Sequence, residues 1–170
     1  MSLTKPAQEP HRFGAPPPAV VKPHSIFTVS AAGEKLGLPV ACVQTIFRIS
    51  RITPIPLGPP EVVGLANLRG KIVTAVSLRR RLGLPDSVTH EGAVAIGIEH
   101  RGESFALLVD EVGDVTSVEE ASRISAPATL SPARLAVTTA VFRLENGILS
   151  VLDMDAILDF VRARAGASRS

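Results

Sequence analysis

VVGLANLRGKIVTAVSLRRRLGLP, residues 62–85, decides the reading of the fold. Two apolar runs, residues 62–68 and 72–78, flank the polar triplet Arg69-Gly70-Lys71. Each run is short for a helix and rich in β-branched residues, which predicts two strands meeting at a tight reversal. Gly70 accepts the positive φ such a reversal often needs, and Arg69 beside it points outward. Residues 78–84 follow with helical spacing and three arginines, stopped by Gly83 and Pro85.

Working outward, the same signals recur. Residues 26–30 and 36–43 read as a hairpin around Ala32-Gly33, and 45–52 as a strand or a short irregular segment. Pro54, Pro56, Pro59 and Pro60 mark an extended connector. Residues 93–99 and 104–112 form a hairpin joined at His100-Arg101-Gly102, and 115–118 continues the β pattern. The Ser/Ala/Pro-rich stretch 122–132 reads as a loop. Residues 137–144 and 148–152 are joined at Glu145-Asn146-Gly147, where Asn-Gly signals a hairpin. Asp153 is placed to cap a final helix over 154–164 with Ile157, Leu158 and Val161 on one face. Residues 1–23 hold six prolines and read as a flexible, partly polyproline tail; the domain is expected over 24–162, with 163–170 frayed. Many short strands with closely spaced turns predict an all-β barrel or sandwich.

Composition narrows the class. The chain has 170 residues with 45% apolar content, enough for one compact domain or two small lobes sharing a core. With no Trp or Tyr, the core rests on Val, Ile, Leu and Ala with six Phe. Cys42 is the single cysteine, so no internal disulfide forms; without a secretory apolar region the chain reads as cytosolic. No apolar run approaches the ~18 residues of a membrane span. A net charge of +2 conceals an asymmetry: residues 48–81 carry seven basic side chains against Glu61 alone, and 86–120 carry nine acidic ones against Arg101 alone. Opposite faces would steer partners and fix orientation; ordinary solvated strand faces explain them equally well.

Catalytic and metal chemistry find little support. The four histidines lack neighbours at metal-ligand spacing. Asp110, Glu111 and Asp114 are the densest carboxylates, and on a strand Asp110 and Asp114 would share a face, but one strand offers too few ligands. There is no phosphate loop and no nucleophile elbow, and Cys42 sits among apolar residues. Nucleic-acid binding is the alternative from another class: Arg79-Arg80-Arg81 and the Arg48–Arg51 region would contact phosphates. Against it stand the scarcity of aromatic stacking platforms and the acidic half of the chain.

Residues 62–85 resemble the signature of the chemotaxis coupling protein (CheW-like) family, which carries a similar INLRG-IVP-DLR sequence. Residues 107–115, LLVDEVGDV, resemble its IVVDSVSDV segment, and residues 147–158, GILSVLDMDAIL, its closing MLILLDIEKLL. The three matches come in the right order, and the similarity runs from about Ser25 to Phe160. The resemblance implies two small five-stranded SH3-like barrels packed side by side, short helices, and a hydrophobic junction serving as a groove. It implies no enzyme activity and no cofactor. The expected partners are the regulatory domain of a CheA-type histidine kinase and the cytoplasmic tip of methyl-accepting chemoreceptors, with recruitment to receptor arrays and no insertion into the membrane.

The resemblance also implies partner-binding residues. Arg69 in the turn would pair a partner's carboxylate or carbonyls; bonding within its own domain is the alternative. Gly64 and Gly70 match positions where bulk disturbs receptor or kinase contact, although backbone geometry alone accounts for them. Val43 matches an apolar interaction position and is also an ordinary strand residue. Asn67 precedes the turn and is expected to bond its backbone. The chain departs from the family at Thr45, where KVQEI has an acid, and at Ser77, where VDLR has Asp. Both changes would strip Arg69 of intramolecular partners, raise local positive charge, and point to a pathway with a different receptor set or kinase.

Overall fold

A computed structural model describes residues 24–86 and 89–159. The expected tail over 1–23, the helix beyond residue 159 and the frayed end lie outside the described residues. Twelve strands run in chain order as β1 (His24–Ala31), β2 (Glu34–Pro39), β3 (Val43–Arg48), β4 (Ile52–Thr53), β5 (Val62–Leu68), β6 (Lys71–Ser77), β7 (Val94–His100), β8 (Glu103–Val109), β9 (Glu111–Val118), β10 (Arg123–Ile124), β11 (Thr138–Leu144) and β12 (Gly147–Leu152). Among the described residues they are joined by three short helices, α1 (Leu78–Arg81), α2 (Pro132–Ala136) and α3 (Met154–Leu158).

The strands make two sheets, ordered β10-β11-β12-β2-β1-β9 (lobe A) and β4-β5-β6-β8-β7-β3 (lobe B). Each has five long strands, as expected, plus one of two residues. The lobes interleave: the chain starts in lobe A, builds all of lobe B, and returns to finish lobe A.

The two lobes match residue for residue. In lobe A, Val29 and Phe27 of β1 face Val112 and Val115 of β9 across a bulge; in lobe B, Ile98 and Ile96 of β7 face Val43 and Ile46 of β3 across a bulge. The β11–β12 pairs Thr138–Leu152 and Ala140–Val151 repeat the β5–β6 pairs Val62–Val76 and Gly64–Ala75, with the same register shift between them. Parallel pairing joins the two hairpins of each lobe, β12 to β2 and β6 to β8. Each hairpin then runs into a capped helix: Ser77 Oγ accepts from Arg80 N at 3.2 Å, and Asp153 Oδ1 from Asp155 N and Ala156 N at 3.0 and 3.2 Å. Residues 24–81 and 94–158 are thus two copies of one unit, each lending its first hairpin to the other's sheet.

Strand alternation gives each sheet two apolar faces. The barrel interiors are small: Ile49, Ala66, Val73, Ala75, Ala95, Ala106 and Leu108 in lobe B, and Ile26, Val118, Phe142, Leu149 and Val151 in lobe A. The largest cluster lies between the lobes. Phe27, Val29, Leu36, Leu38, Leu152 and Ile157 of lobe A pack there against Val76, Ile96, Ile98, Phe105 and Leu107 of lobe B. Neither lobe covers this face alone, so the two fold as one body.

Several expectations are corrected. The run 36–43 is not one strand: β2 ends at Pro39, a 3-10 turn over Val40–Cys42 carries the chain across, and β3 joins the other sheet. The helix after the signature hairpin spans only Leu78–Arg81. The stretch read as a loop over 122–132 contains β10, and α2 follows with Pro132 in its first turn and Ser131 as its cap. The last hairpin turns at Glu145-Asn146, leaving Gly147 in β12.

Candidate functional site

The signature hairpin turns in two residues, with Leu68 paired to Lys71. Arg69 and Gly70 both have positive φ, 53° and 86°, the backbone twist that matches a two-residue hairpin to its strands. Asn67 Oδ1 accepts from Gly70 N at 2.8 Å and fixes the turn, as its position suggested. Arg69 is exposed, and among the described residues its guanidinium has no ion pair or hydrogen bond. The alternative in which Arg69 bonds within its own domain has no partner in these residues.

The other expected residues divide by location. Thr45 joins the hairpin: a Cβ added to Gly97 of β7 would lie 2.6 Å from Thr45 Cγ2 and 3.4 Å from Leu68 Cδ2, so Thr45 and the root of the turn meet over that glycine. Gly64 is buried at the far end of β5, where a Cβ would collide with the Thr53 carbonyl oxygen and lie 2.7 Å from Ile52 Cγ2. It admits β4 close to β5. Val43 is half-buried against the interlobe cluster. Arg69, Gly70, Asn67 and Thr45 therefore share one end of lobe B; Gly64 and Val43 do not. Ile72 and Ile46, which flank this group in sequence on β6 and β3, are 61% and 45% exposed and give that end an apolar component.

Ser77 corrects one expectation. It is 2% exposed at the opposite end of β6 from Arg69, where it caps α1 and donates to Asp86 Oδ1 at 3.1 Å. Asp and Ser serve equally as helix caps, so the substitution there removes no partner from Arg69.

Most of the basic segment is engaged internally. Arg79 makes a two-pronged pair with Asp110, Nε to Oδ1 at 2.9 Å and Nη2 to Oδ2 at 2.5 Å, and Asp110 Oδ2 also accepts from Ala32 N at 2.7 Å. The Arg79 bond, with help from that amide, holds the Asp110 carboxyl below its ordinary range. Arg81 crosses to lobe A and donates to the carbonyls of Ala156 and Ile157 at 2.7 and 3.0 Å, neutralising the end of α3. Arg80 binds Asp86 and the Pro60 carbonyl, and Arg48 the Gly92 carbonyl. The arginine triplet thus ties α1 to its surroundings, two of the three across the lobe boundary. Arg48 and the triplet, on which the nucleic-acid reading relied, are thus committed to partners within the domain. Sequence spacing could not reveal these bonds, because Asp110 and α3 lie 31 and about 75 positions away.

The acidic residues do not assemble a cation site. Asp110 precedes β9 and is committed to Arg79, and no three His, Cys, Asp or Glu among the described residues are placed to hold a metal. Cys42 is half-buried against the interlobe cluster, and burial, with Asp155 nearby, pushes its thiol up, away from the nucleophilic thiolate. The junction between lobes is filled by side chains. A cleft of about 690 Å³ opens at the end of the lobe A barrel beside the Val40–Cys42 crossover.

Known proteins share this arrangement. The family model for the CheW-like domain matches residues 25–162. The chemotaxis protein CheW of Bacillus subtilis (strain 168) is 31% identical over 128 residues, covering 75% of this chain and 81% of that protein. CheW of Rhizobium meliloti (strain 1021) is 27% identical over 118 residues, covering 69% and 76%. Among solved structures, the scaffolding protein TtCheW from Thermoanaerobacter tengcongensis, a protein of SH3-like β fold, is 27% identical with a TM-score of 0.67, covering 76% of this chain and 88% of that one.

Proposed function

The chain belongs to the CheW-like family of chemotaxis scaffolds, and on that premise we propose that it couples chemoreceptors to a CheA-type histidine kinase without chemistry of its own. The exposed end of lobe B, built from Arg69, Gly70, Asn67 and Thr45, meets the kinase's SH3-like regulatory domain. The seam between the lobes, where Val43 packs beside the crossover, takes the cytoplasmic tip of a methyl-accepting chemoreceptor. Receptor state reaches the kinase through these fixed interfaces. No helix among the described residues is long and apolar enough to cross a membrane; the protein works in the cytoplasm and joins the membrane through receptor arrays.

One observation carries this reading: an arginine held at positive φ in a tight turn, exposed, with no described side chain or carbonyl to pair it. Thr45, in place of the family's acid, leaves the end of lobe B more positive, which suits a kinase or receptor set with a matching acidic surface. Titration calorimetry against the regulatory domain of each CheA-type kinase of the same organism tests it. Arg69→Glu is expected to abolish measurable binding to the cognate domain while leaving cooperative unfolding intact. Unchanged binding would move the interface elsewhere, and loss of the fold would make Arg69 structural.

A further inference from the structure

Arg134 is the one charged residue buried among the described residues, its side chain 8% exposed. It comes from a stretch in which the two lobes differ. Asp153 N donates to the Val137 carbonyl as Ser77 N donates to that of Glu61, which aligns residue 137 with 61. The connection up to that point runs over 125–137 in lobe A and only 54–61 in lobe B, and the longer one holds α2 with Arg134 in its last turn. The matching position in lobe B is Gly58. A buried guanidinium needs acceptors for its five N–H groups. Arg79 meets both oxygens of Asp110 and the Pro85 carbonyl, and Arg81 meets two carbonyls. Arg134 meets one described acceptor, Glu34 Oε2 at 2.6 Å from Nη1, and its Nε is shielded from solvent with no partner among the described residues.

The backbone around this charge is well held. Arg134 N donates to Ser131 Oγ at 3.2 Å, and the Arg134 carbonyl accepts from Thr138 Oγ1 at 2.7 Å. The fold therefore fixes a buried cation and leaves most of its hydrogen-bonding capacity unused by the described residues. The same side chain lines a recess of about 430 Å³ between α2 and the chain leaving α1. Leu82, Leu84 and Leu130 give the recess an apolar wall, and Glu34 and Ser131 stand beside Arg134. Its volume lies in the range of small-molecule sites. One buried cation against an apolar wall suits a carboxylate carried on a short aliphatic body. Glu34, already seated on the guanidinium, repels a second carboxylate or a phosphate dianion and so selects for a single negative charge.

We propose that the recess between α2 and the chain leaving α1 binds a small aliphatic monocarboxylate, held by Arg134 against the leucine wall. The site uses none of the residues assigned to the coupling role, and the inference does not depend on that role. Butyrate titrated into the full-length protein tests it, read by NMR at the arginine Nε–H and leucine methyl resonances. Saturable shifts are expected at Arg134, Leu82, Leu84 and Leu130. Repulsion from Glu34 should make succinate bind about tenfold more weakly, and butanol or chloride at matched ionic strength should give no saturable shift. Arg134→Met keeps the length of the side chain without its charge, a change that buried ion pairs often tolerate, and should abolish binding. Should that variant fail to fold, Arg134→Lys replaces the fork by a point charge and should bind about tenfold more weakly. Saturable butyrate shifts that persist in Arg134→Met, unchanged affinity in Arg134→Lys, or no shift at Arg134 in the parent protein would overturn the proposal. Glu9 is the one acidic side chain outside the described residues. A Glu9→Gln variant that moves the Arg134 Nε resonance without butyrate would overturn the proposal in favour of an acceptor from the chain itself.

Discussion

Lobes A and B share register, bulges, capped helices and parallel junction, yet they end differently. Lobe B is sealed by Ile52 over Gly64 and projects a primed turn bearing an arginine that has no partner among the described residues. Among the described residues lobe A has a cleft lined by Arg123 and Ala140 at the corresponding end, and its corresponding turn, Glu145-Asn146, has no left-handed residue. One plan thus tolerates two finishes, because the barrel interiors are small and the shared interlobe cluster holds both sheets. What varies is the periphery, where a single residue decides whether an end is core or surface.

The sharpest way to break the comparison is to exchange the two residues beneath the short strands. Gly64→Ala puts a Cβ onto the Thr53 carbonyl, backbone that cannot turn aside, at a φ of 156° that L side chains avoid. Overpacking and strain together should cost about 3 kcal/mol in denaturant unfolding. Ala140→Gly, in the more open lobe, should cost only about 0.5–1 kcal/mol, the backbone entropy of glycine. Equal costs would mean that the lobes are not closed differently.

The helix caps come next. Ser77→Ala removes both the cap of α1 and the bond to Asp86, and Asp153→Ala only the cap of α3. Losses of about 1–2 and about 1 kcal/mol are expected, with Ser77 the larger because it is buried. An inverted order would show that Asp86 is satisfied without Ser77.

Acid titration sharpens a feature without a counterpart. At the crossover from β8 to β9, Asp110 is held by Arg79; the matching position at the crossover from β2 to β3 is Ala41. Because the folded carboxyl titrates below its unfolded value, its contribution is complete above the ordinary carboxylate range near pH 4 and disappears as pH falls through the lower folded value. Asp110→Asn should be less stable at neutral pH, and its unfolding midpoint should fall less steeply below about pH 4. Parallel acid limbs in the two proteins would remove Asp110 from the linkage.

The periodicity of residues 62–77 and 94–109 exposed both lobe B hairpins, because a two-residue turn with glycine between alternating apolar runs has few other solutions. The repeat stayed hidden. Its copies are matched by register and bulge rather than by residue type, as Gly64 with Ala140 and Ala66 with Phe142 illustrate. The crossover at Val40–Cys42 follows Pro39, which ends β2 but does not announce a change of sheet, since leaving one core for another keeps the run apolar. In the candidate site, the turn and its Asn67 lock were legible locally. The duties of Arg79 and Arg81 were not, because their partners belong to the other lobe.

The smallest effect bears most directly on why the two turns differ. A non-glycine residue in the left-handed region costs about 1 kcal/mol or more, and nothing described repays that cost at Arg69, whose side chain is exposed and unpaired. Arg69→Gly should therefore raise stability by about 0.5 kcal/mol, the relieved strain less the added freedom of the unfolded chain. Glu145→Gly at the matching position of lobe A, where φ is not positive, has no strain to relieve and should be neutral or slightly destabilising. Opposite signs in paired denaturation curves would mean that lobe B retains an arginine against its own backbone preference. That is the behaviour of a residue kept for a partner rather than for the fold. A destabilised Arg69→Gly variant would instead show that the guanidinium supports the domain.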